Sequence, residues 1–208
     1  MVGYPLIVDL TGRRCVVIGG GDVAARKVEG LLVAKAAVTV VSPKLSEGLE
    51  ARVARGEIEV ERRRYRRGDL AGASLAFVAT GDTRLASAVA REGRSQGVWV
   101  NAADDPEHCD FFVPSVLRRG PLLVADATGG GSPALARAVR EEIERRLPDE
   151  YAELAETAAE VRRELRARGV SPDASAWNRA LSAEVRRVTR DGGRHEARAR
   201  LLSSLGAA

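Results

Sequence analysis

"CVVIGGGDVAARKVEGLLV" occupies residues 15–33. It opens with a short β-branched run, Val16 to Ile18, and passes through three glycines. It then continues at helical spacing, with Val23, Lys27, Gly30 and Leu31 at i, i+4, i+7 and i+8 and with Val28 and Leu32 beside them. The next apolar run, Val38 to Val41, stops at Ser42-Pro43. Strand, glycine turn, helix and strand within about 30 residues make a βαβ unit.

The alternation continues outward from this unit. Glu47 to Arg55 reads as a short helix, and Ile58 and Val60 alternate with charge in an edge-like strand. "SLAFVAT" (74–80) is a fully apolar strand, Arg84 to Gln96 an Ala-rich helix, and "VWVNAA" (98–103) a fifth strand. Strands alternating with helices imply an α/β, Rossmann-like parallel sheet. Past residue 110 the pattern changes. "FFVPSVL" and "PLLVADA", joined by "RRG", read as strands of a β-rich extension. In "GGGSPALARAVREEIERRLP", Ser132 suits a helix cap and Pro133 the first turn. Leu135, Val139, Ile143 and Leu147 recur every fourth residue, which predicts a helix with one buried stripe. The remainder reads as helical. Tyr151, Leu154, Ala158, Val161 and Leu165 mark one helix, and Trp177, Leu181, Val185 and Val188 mark another. Asp191-Gly192-Gly193 breaks the pattern, and the last residues are expected to fray. Three segments are expected: 1–112 Rossmann-like, 113–147 β-rich, and 148–208 a small helical domain.

Composition narrows the function classes. Of 208 residues, 45% are hydrophobic, enough for a real core, and the net charge is only +4. No helix concentrates basic residues without acids among them, so no nucleic-acid partner is expected. Cys15 and Cys109 follow no disulfide or metal-ligand spacing. With no signal peptide and no apolar run long enough for a bilayer, the expectation is a cytoplasmic protein without a membrane partner.

Gly19, Gly21 and Ala24 fit G-x-G-x-x-G/A between a strand and a helix. The first glycine allows the tight turn, the second lets backbone approach a pyrophosphate, and the third small residue lets helix and strand close up. The helix start adds free N–H groups and a positive partial charge. Dinucleotide binding follows as the expectation. The acid that normally binds the adenosine ribose is missing, and Ser42-Pro43-Lys44 stands there instead. Read alone, that Ser and Lys favour a 2′-phosphate and hence NADP. Thr80 and Gly81, ending the fourth strand, should flank the nicotinamide side, with Asp82 as a helix cap.

"NAADDPEHCDFFVPS" (101–115) begins at the carboxyl end of the fifth strand, on the same rim. Asp104 or Asp105 is placed to take a proton while a hydride leaves to a nicotinamide ring. The competing reading is an Asp-Asp-Pro turn. A mixed site of His108, Cys109 and Asp104 is disfavoured, because adjacent His and Cys seldom ligate one metal, and no resident metal is expected.

Taken together, "VVIGGGDVAARKVEGLL", "VTVVSPKL", "FVATGD" and "VNAADDPEHCDFFVPSVLRRGPLLVADATGGGSPALARAVREEIERRLP" resemble the precorrin-2 dehydrogenase/sirohydrochlorin ferrochelatase family, the module at the N-terminus of siroheme synthases. The resemblance covers about residues 3–150 and is weak in the helical tail. It implies NAD-dependent oxidation of precorrin-2 to sirohydrochlorin, and in bifunctional members insertion of Fe2+ or Co2+. It also implies a homodimer, with the β-rich extension serving dimerisation. The family's aspartate falls on Asp104. Its nucleotide contacts fall on Gly19, Gly21, Asp22, Val23, Ser42, Pro43, Lys44 and Thr80, with NAD preferred. A tetrapyrrole bearing many carboxylates would be bound by Asn101, Arg119, Thr128, Gly130, Ser132 and Arg137. Arg118 and Arg140 lie near the same turn. Lys35, where relatives carry glycine, implies a strained helix end. A different class stays open: an NAD(H)-sensing regulatory domain without catalysis, which would need neither Asp104 on the rim nor the Gly-Gly-Gly-Ser-Pro turn.

Overall fold

The computed structural model describes residues 3–206. They form two compact units, divided between Val113 and Pro114.

The first unit is built on a five-stranded parallel sheet in the order β3-β2-β1-β4-β5. Its strands are β1 (Arg14–Ile18), β2 (Ala37–Val41), β3 (Glu59–Glu61), β4 (Leu75–Val78) and β5 (Trp99–Ala102), and its helices α1 (Asp22–Val33), α2 (Glu47–Ala54) and α3 (Thr83–Gln96). Side chains alternate across a strand, so β1 feeds two cores at once. Val17 packs with Val28, Leu31, Val40 and Phe77 on one face. Val16 and Ile18 pack with Leu70, Val89 and Val100 on the other. The buried face of α1 is Ala24, Val28 and Leu31; of the expected line Val23, Lys27, Gly30 and Leu31, with Val28 and Leu32 beside it, Leu31 and Val28 are buried and Ala24 takes the place of Val23. Strand order reverses between β2-β1 and β1-β4, which opens a crevice at the strands' carboxyl ends.

Three local features hold that rim. The edge of β5 is covered by the chain that follows it: Asp110 N donates to Val100 O at 2.7 Å, and Val100 N donates to Asp110 Oδ2 at 2.9 Å. Glu92 of α3 is buried and accepts from Tyr65 Oη at 2.5 Å and from Gly68 N at 2.9 Å, tying down the segment before β4. Burial and Glu92 together push the Tyr65 phenol above its usual range, so it remains a donor. Lys35 ends the α1–β2 turn in the left-handed region at φ 57°, the strain expected where glycine would be relaxed.

In the second unit β6 (Ser115–Arg119) and β7 (Leu122–Asp126) form an antiparallel hairpin. It is followed by α4 (Pro133–Arg146), α5 (Glu150–Ala167), α6 (Ala174–Ala180), α7 (Ala183–Arg190) and α8 (Arg194–Ser204). A Cβ on Gly120 would lie 3.0 Å from the Ala152 Cβ, so the hairpin turn and the start of α5 are in contact. The boundary expected at 147/148 therefore falls inside one compact unit. Leu154, Val161, Leu165, Val185, Val188, Ala197 and Leu201 form its core.

Sequence patterning misjudged three elements here. The α4 stripe is not buried within the chain: Leu135 is 55% and Val139 38% exposed, and Ala136 is the residue that packs. A two-stranded hairpin cannot cover a whole helix face. The helix drawn through Trp177 to Val188 is two helices, because the Ser182 hydroxyl accepts from Val185 N and starts α7 afresh. The chain after Gly193 is not frayed: α8 buries Ala197 and Leu201 fully. Only residues 207–208 at that end lie outside the described residues. Among the described residues no helix is long and apolar enough to cross a membrane.

Candidate functional site

The glycine loop is shaped by close backbone approaches. Gly19 has φ 125°, and a Cβ there would sit 2.6 Å from Ala79 O. Gly20 matters as much, although the spacing motif ignores it: its Cβ would fall 1.9 Å from Lys44 O. Ser46 N donates to Gly20 O at 2.7 Å, which closes the loop onto the β2–α2 turn. At Gly21, the N-cap of α1, a Cβ would meet nothing within 4 Å, and no side chain caps the helix. The start of α1 thus has no side chain in the way and no side-chain cap, which leaves its positive partial charge available to an anion such as a pyrophosphate.

Two buried hydroxyls on this rim, Thr80 Oγ1 and Ser46 Oγ, lack any hydrogen-bond partner among the described residues. Such groups cost free energy unless a ligand satisfies them, so they fit a polar nucleotide. Ser46 escaped sequence reading because no spacing rule marks it. Ser42 behaves differently from expectation. It is buried, donates to Lys44 O at 2.6 Å and accepts from Lys44 N at 3.4 Å. Its hydroxyl is thus committed to its own turn, leaving Lys44 as the exposed donor of the Ser42-Pro43-Lys44 trio. The case for a 2′-phosphate loses one of its two supports.

Val23, Thr80, Gly81, Asp104 and Asp105 line a common cavity of about 170 Å³, with Asp82 and Thr83 at the start of α3. Asp82 caps that helix, accepting from Arg84 N at 3.0 Å and Leu85 N at 3.1 Å. The two aspartates that sequence left open have different surroundings. Asp105 is paired with His108 Nδ1 at 2.8 Å and precedes the short 3₁₀ turn Pro106–His108. Asp104 is exposed, has no partner among the described residues, and holds φ 58°. A non-glycine residue in the left-handed region stores backbone strain, which is typical of positions whose side chain must be aimed.

The wall behind Asp104 is ordered by Asn101 and Cys109. Asn101 is buried, and its amide donates to Phe111 O at 2.9 Å. Cys109 Sγ lies 3.2 Å from Ala102 N, and burial pushes its thiol up, so it stays protonated. His108 is turned to Asp105 and Cys109 to backbone, so the two do not converge with Asp104. Among the described residues no group of three or more His, Cys, Asp or Glu could hold a metal. Sequence reading also missed Lys27. It is half-buried on α1, with its ammonium 5.6 Å from the Phe77 ring centre. Burial lowers its pKa, while the Asp104 carboxylate opposes that shift, so Lys27 places a cation near the Asp104 wall.

A family model described as "Putative NAD(P)-binding" matches residues 6–115. The chain belongs to that NAD(P)-binding family. The family match spans the whole first unit apart from its extreme N-terminus, and it contains the glycine loop, Thr80 and Asp104. Over 203 residues, 97% of this chain, it is 35% identical to a siroheme synthase of Nitrosococcus oceani, 43% of which is covered. A siroheme synthase of Methylobacillus flagellatus is 43% identical over 168 residues, covering 81% of this chain and 36% of that protein. The chain thus spans about two fifths of the length of these curated relatives. A solved structure of a precorrin-2 dehydrogenase, SirC, superposes with a TM-score of 0.73 at 26% identity, covering 99% of this chain and all of that one. These are the proteins that the sequence motifs resembled.

The expected substrate residues of the second unit of this NAD(P)-binding chain are placed as follows. Arg119 is spent internally: Nε donates to Leu147 O at 3.2 Å and pairs with Asp149 at 3.0 Å, and Nη2 reaches Glu144 at 3.4 Å. Arg140 pairs with Glu144 at 2.5 Å. The Thr128 hydroxyl accepts from Ser132 N at 2.9 Å and donates to Ser132 O at 3.0 Å, while Ser132 Oγ caps α4. Gly130 supports the turn with φ 85°. Arg137 is exposed and, like Arg118, has no acidic partner among the described residues.

Proposed function

We propose that this chain oxidises precorrin-2 to sirohydrochlorin, using NAD, and that Asp104 is the proton acceptor. The observation that carries the reading is the unpaired, backbone-strained Asp104 in one cavity with Thr80, Gly81 and the start of α1. The precorrin-2 dehydrogenase likeness over the full chain supports the reaction class.

NAD, when bound, accepts the hydride that leaves the ring. The chain supplies the rest. Gly19, Gly20 and Gly21 admit the pyrophosphate, with Asp22 and Val23 at the helix start. Ser42, Pro43 and Lys44 shape the ribose end, where the committed Ser42 hydroxyl favours NAD over NADP. Thr80 and Ser46 offer the unpartnered hydroxyls. The Asp104 carboxylate takes the proton released as the ring loses its hydride, so two electrons and two hydrogens leave together. Asn101 holds the loop rather than the substrate. Gly130, Ser132 and Thr128 form the turn before α4, and exposed Arg137 is the cation there left for a ring carboxylate. After oxidation, Asp104 is also placed to accept pyrrole protons as Fe2+ or Co2+ enters, with the metal as substrate.

We propose further that the working form is a homodimer in which the exposed Leu135–Val139 face of α4 is covered by a second copy. A helix patterned for burial and left open within its own chain calls for a partner.

The test is anaerobic oxidation of precorrin-2, read as sirohydrochlorin absorbance, with NAD+ or NADP+. NAD+ should support turnover well above NADP+. Nucleotide binding without turnover on either would contradict the enzyme reading and favour an NAD(H) sensor.

A further inference from the structure

One face of α7 is unusual in the second unit. Ala183, Arg186, Arg187 and Arg190 fall at i, i+3, i+4 and i+7, while Val185, Val188 and Thr189 bury the opposite side. Packing therefore fixes the arginines outward as a group. Arg146, at the end of α4, faces them across a cavity of about 380 Å³, with Tyr151 and Glu150 at the start of α5 completing the lining.

The charges in this cavity are poorly matched. Arg186 and Arg187 have no carboxylate partner among the described residues. Arg190 reaches only the exposed Asp191, at 3.8 Å, and Arg146 pairs with exposed Glu142 at 2.8 Å. The acid of α7, Glu184, is occupied elsewhere, with Arg200 at 2.6 Å. Across the core, by contrast, arginines of α8 are matched: Arg194 pairs with Glu156 and Glu160, and Arg198 with Glu164.

We infer that this arginine-lined cavity between α7 and the α4–α5 junction binds the carboxylate-bearing edge of a polycarboxylate of the same chemical class as the proposed substrate, a carboxylated tetrapyrrole. Guanidinium forks match carboxylates two bonds at a time, and several forks around one concavity suit a ligand that carries several carboxylates. A nucleic-acid strand needs a continuous basic track, whereas here Glu150 interrupts the rim. The choice of tetrapyrrole rests on the proposed function; the preference for a polyanion does not.

Uroporphyrin, a stable fluorescent polycarboxylate, is the probe, titrated into the full chain. Arg186→Ala/Arg187→Ala should weaken its binding by at least roughly tenfold, as expected for lost charge-assisted pairs. Raising salt should narrow the difference between wild type and variant. Arg186→Lys/Arg187→Lys, which keeps charge but loses the forks, should fall between. Both arginines are exposed, so circular dichroism and the melting temperature should stay at wild-type values. Unchanged uroporphyrin affinity in the alanine variant overturns the inference, whatever the dehydrogenase assay gives. Displacement of uroporphyrin by inorganic pyrophosphate or by a single-stranded oligonucleotide at equal anionic charge overturns the assignment to a polycarboxylate. Arginine-dependent uroporphyrin binding in a protein that fails to oxidise precorrin-2 upholds this site and removes the enzyme reading alone.

Discussion

Asp104 keeps its carboxylate free at the cost of a left-handed backbone, while its neighbour Asp105 is tied to His108 at 2.8 Å. That contrast is what favours Asp104 over Asp105 in the proposed reaction, two adjacent acids that sequence could separate only by resemblance. Gly20 makes a similar point about size. A Cβ placed 1.9 Å from Lys44 O cannot be absorbed by a side-chain rotation, since the obstacle is backbone. Gly20→Ala should therefore push the β2–α2 turn off the glycine loop. We expect NADH affinity, read by fluorescence titration, to fall at least roughly tenfold, and stability to fall by about 1–3 kcal/mol, as for other overpacked sites. Asp69 carries a pH dependence. Its carboxylate accepts two bonds from Arg63, each 2.8 Å, and one from Arg66 N, which hold it below the usual carboxylate range against burial. A depressed folded pKa stabilises the fold above the unfolded value of about 3.9, and this is lost as pH falls through the lower folded value. Asp69→Asn should therefore flatten the acid limb of a stability-against-pH curve below about pH 4. An unchanged limb would show that Asp69 does not carry it.

At the level of elements, the parallel sheet was legible because buried strands read as continuous apolar runs between glycine and proline punctuation. "CVVI", "VTVV" and "LAFV" each became a strand in the sheet's centre. Helices after residue 148 were less legible. A capping hydroxyl at Ser182 divides a pattern that hydrophobic spacing alone runs together, and α8 buries only Ala197 and Leu201, with Leu205 just past its end. For α4 the pattern was read correctly and its burial was not, since periodicity reports that a face is apolar without saying which chain covers it. Leu135→Glu/Val139→Glu should thus leave the chain folded and shift it to monomer in sedimentation velocity. Retained dimer would place the interface elsewhere.

At the scale of the whole molecule, two units follow one another in sequence, one carrying the nucleotide rim and the other a helical bundle with its own basic cavity. The rim's geometry was partly readable: Gly21 opens onto free space, Thr80 and Asp104 line one cavity, and Gly19 makes the close approach to Ala79 O that its place in the motif demands. Residues whose role depends on who bonds them were not. Arg119 and Asn101 are engaged by Leu147, Asp149 and Phe111, and no spacing could have revealed that. The most direct measurement compares wild type, Asp104→Ala and Asp105→Ala in anaerobic precorrin-2 oxidation with NAD+, with NADH binding measured alongside. The account predicts that Asp104→Ala binds NADH normally but loses about 10²–10⁴-fold in kcat, the range for a lost general base, while Asp105→Ala keeps most activity. Full turnover by Asp104→Ala would contradict it.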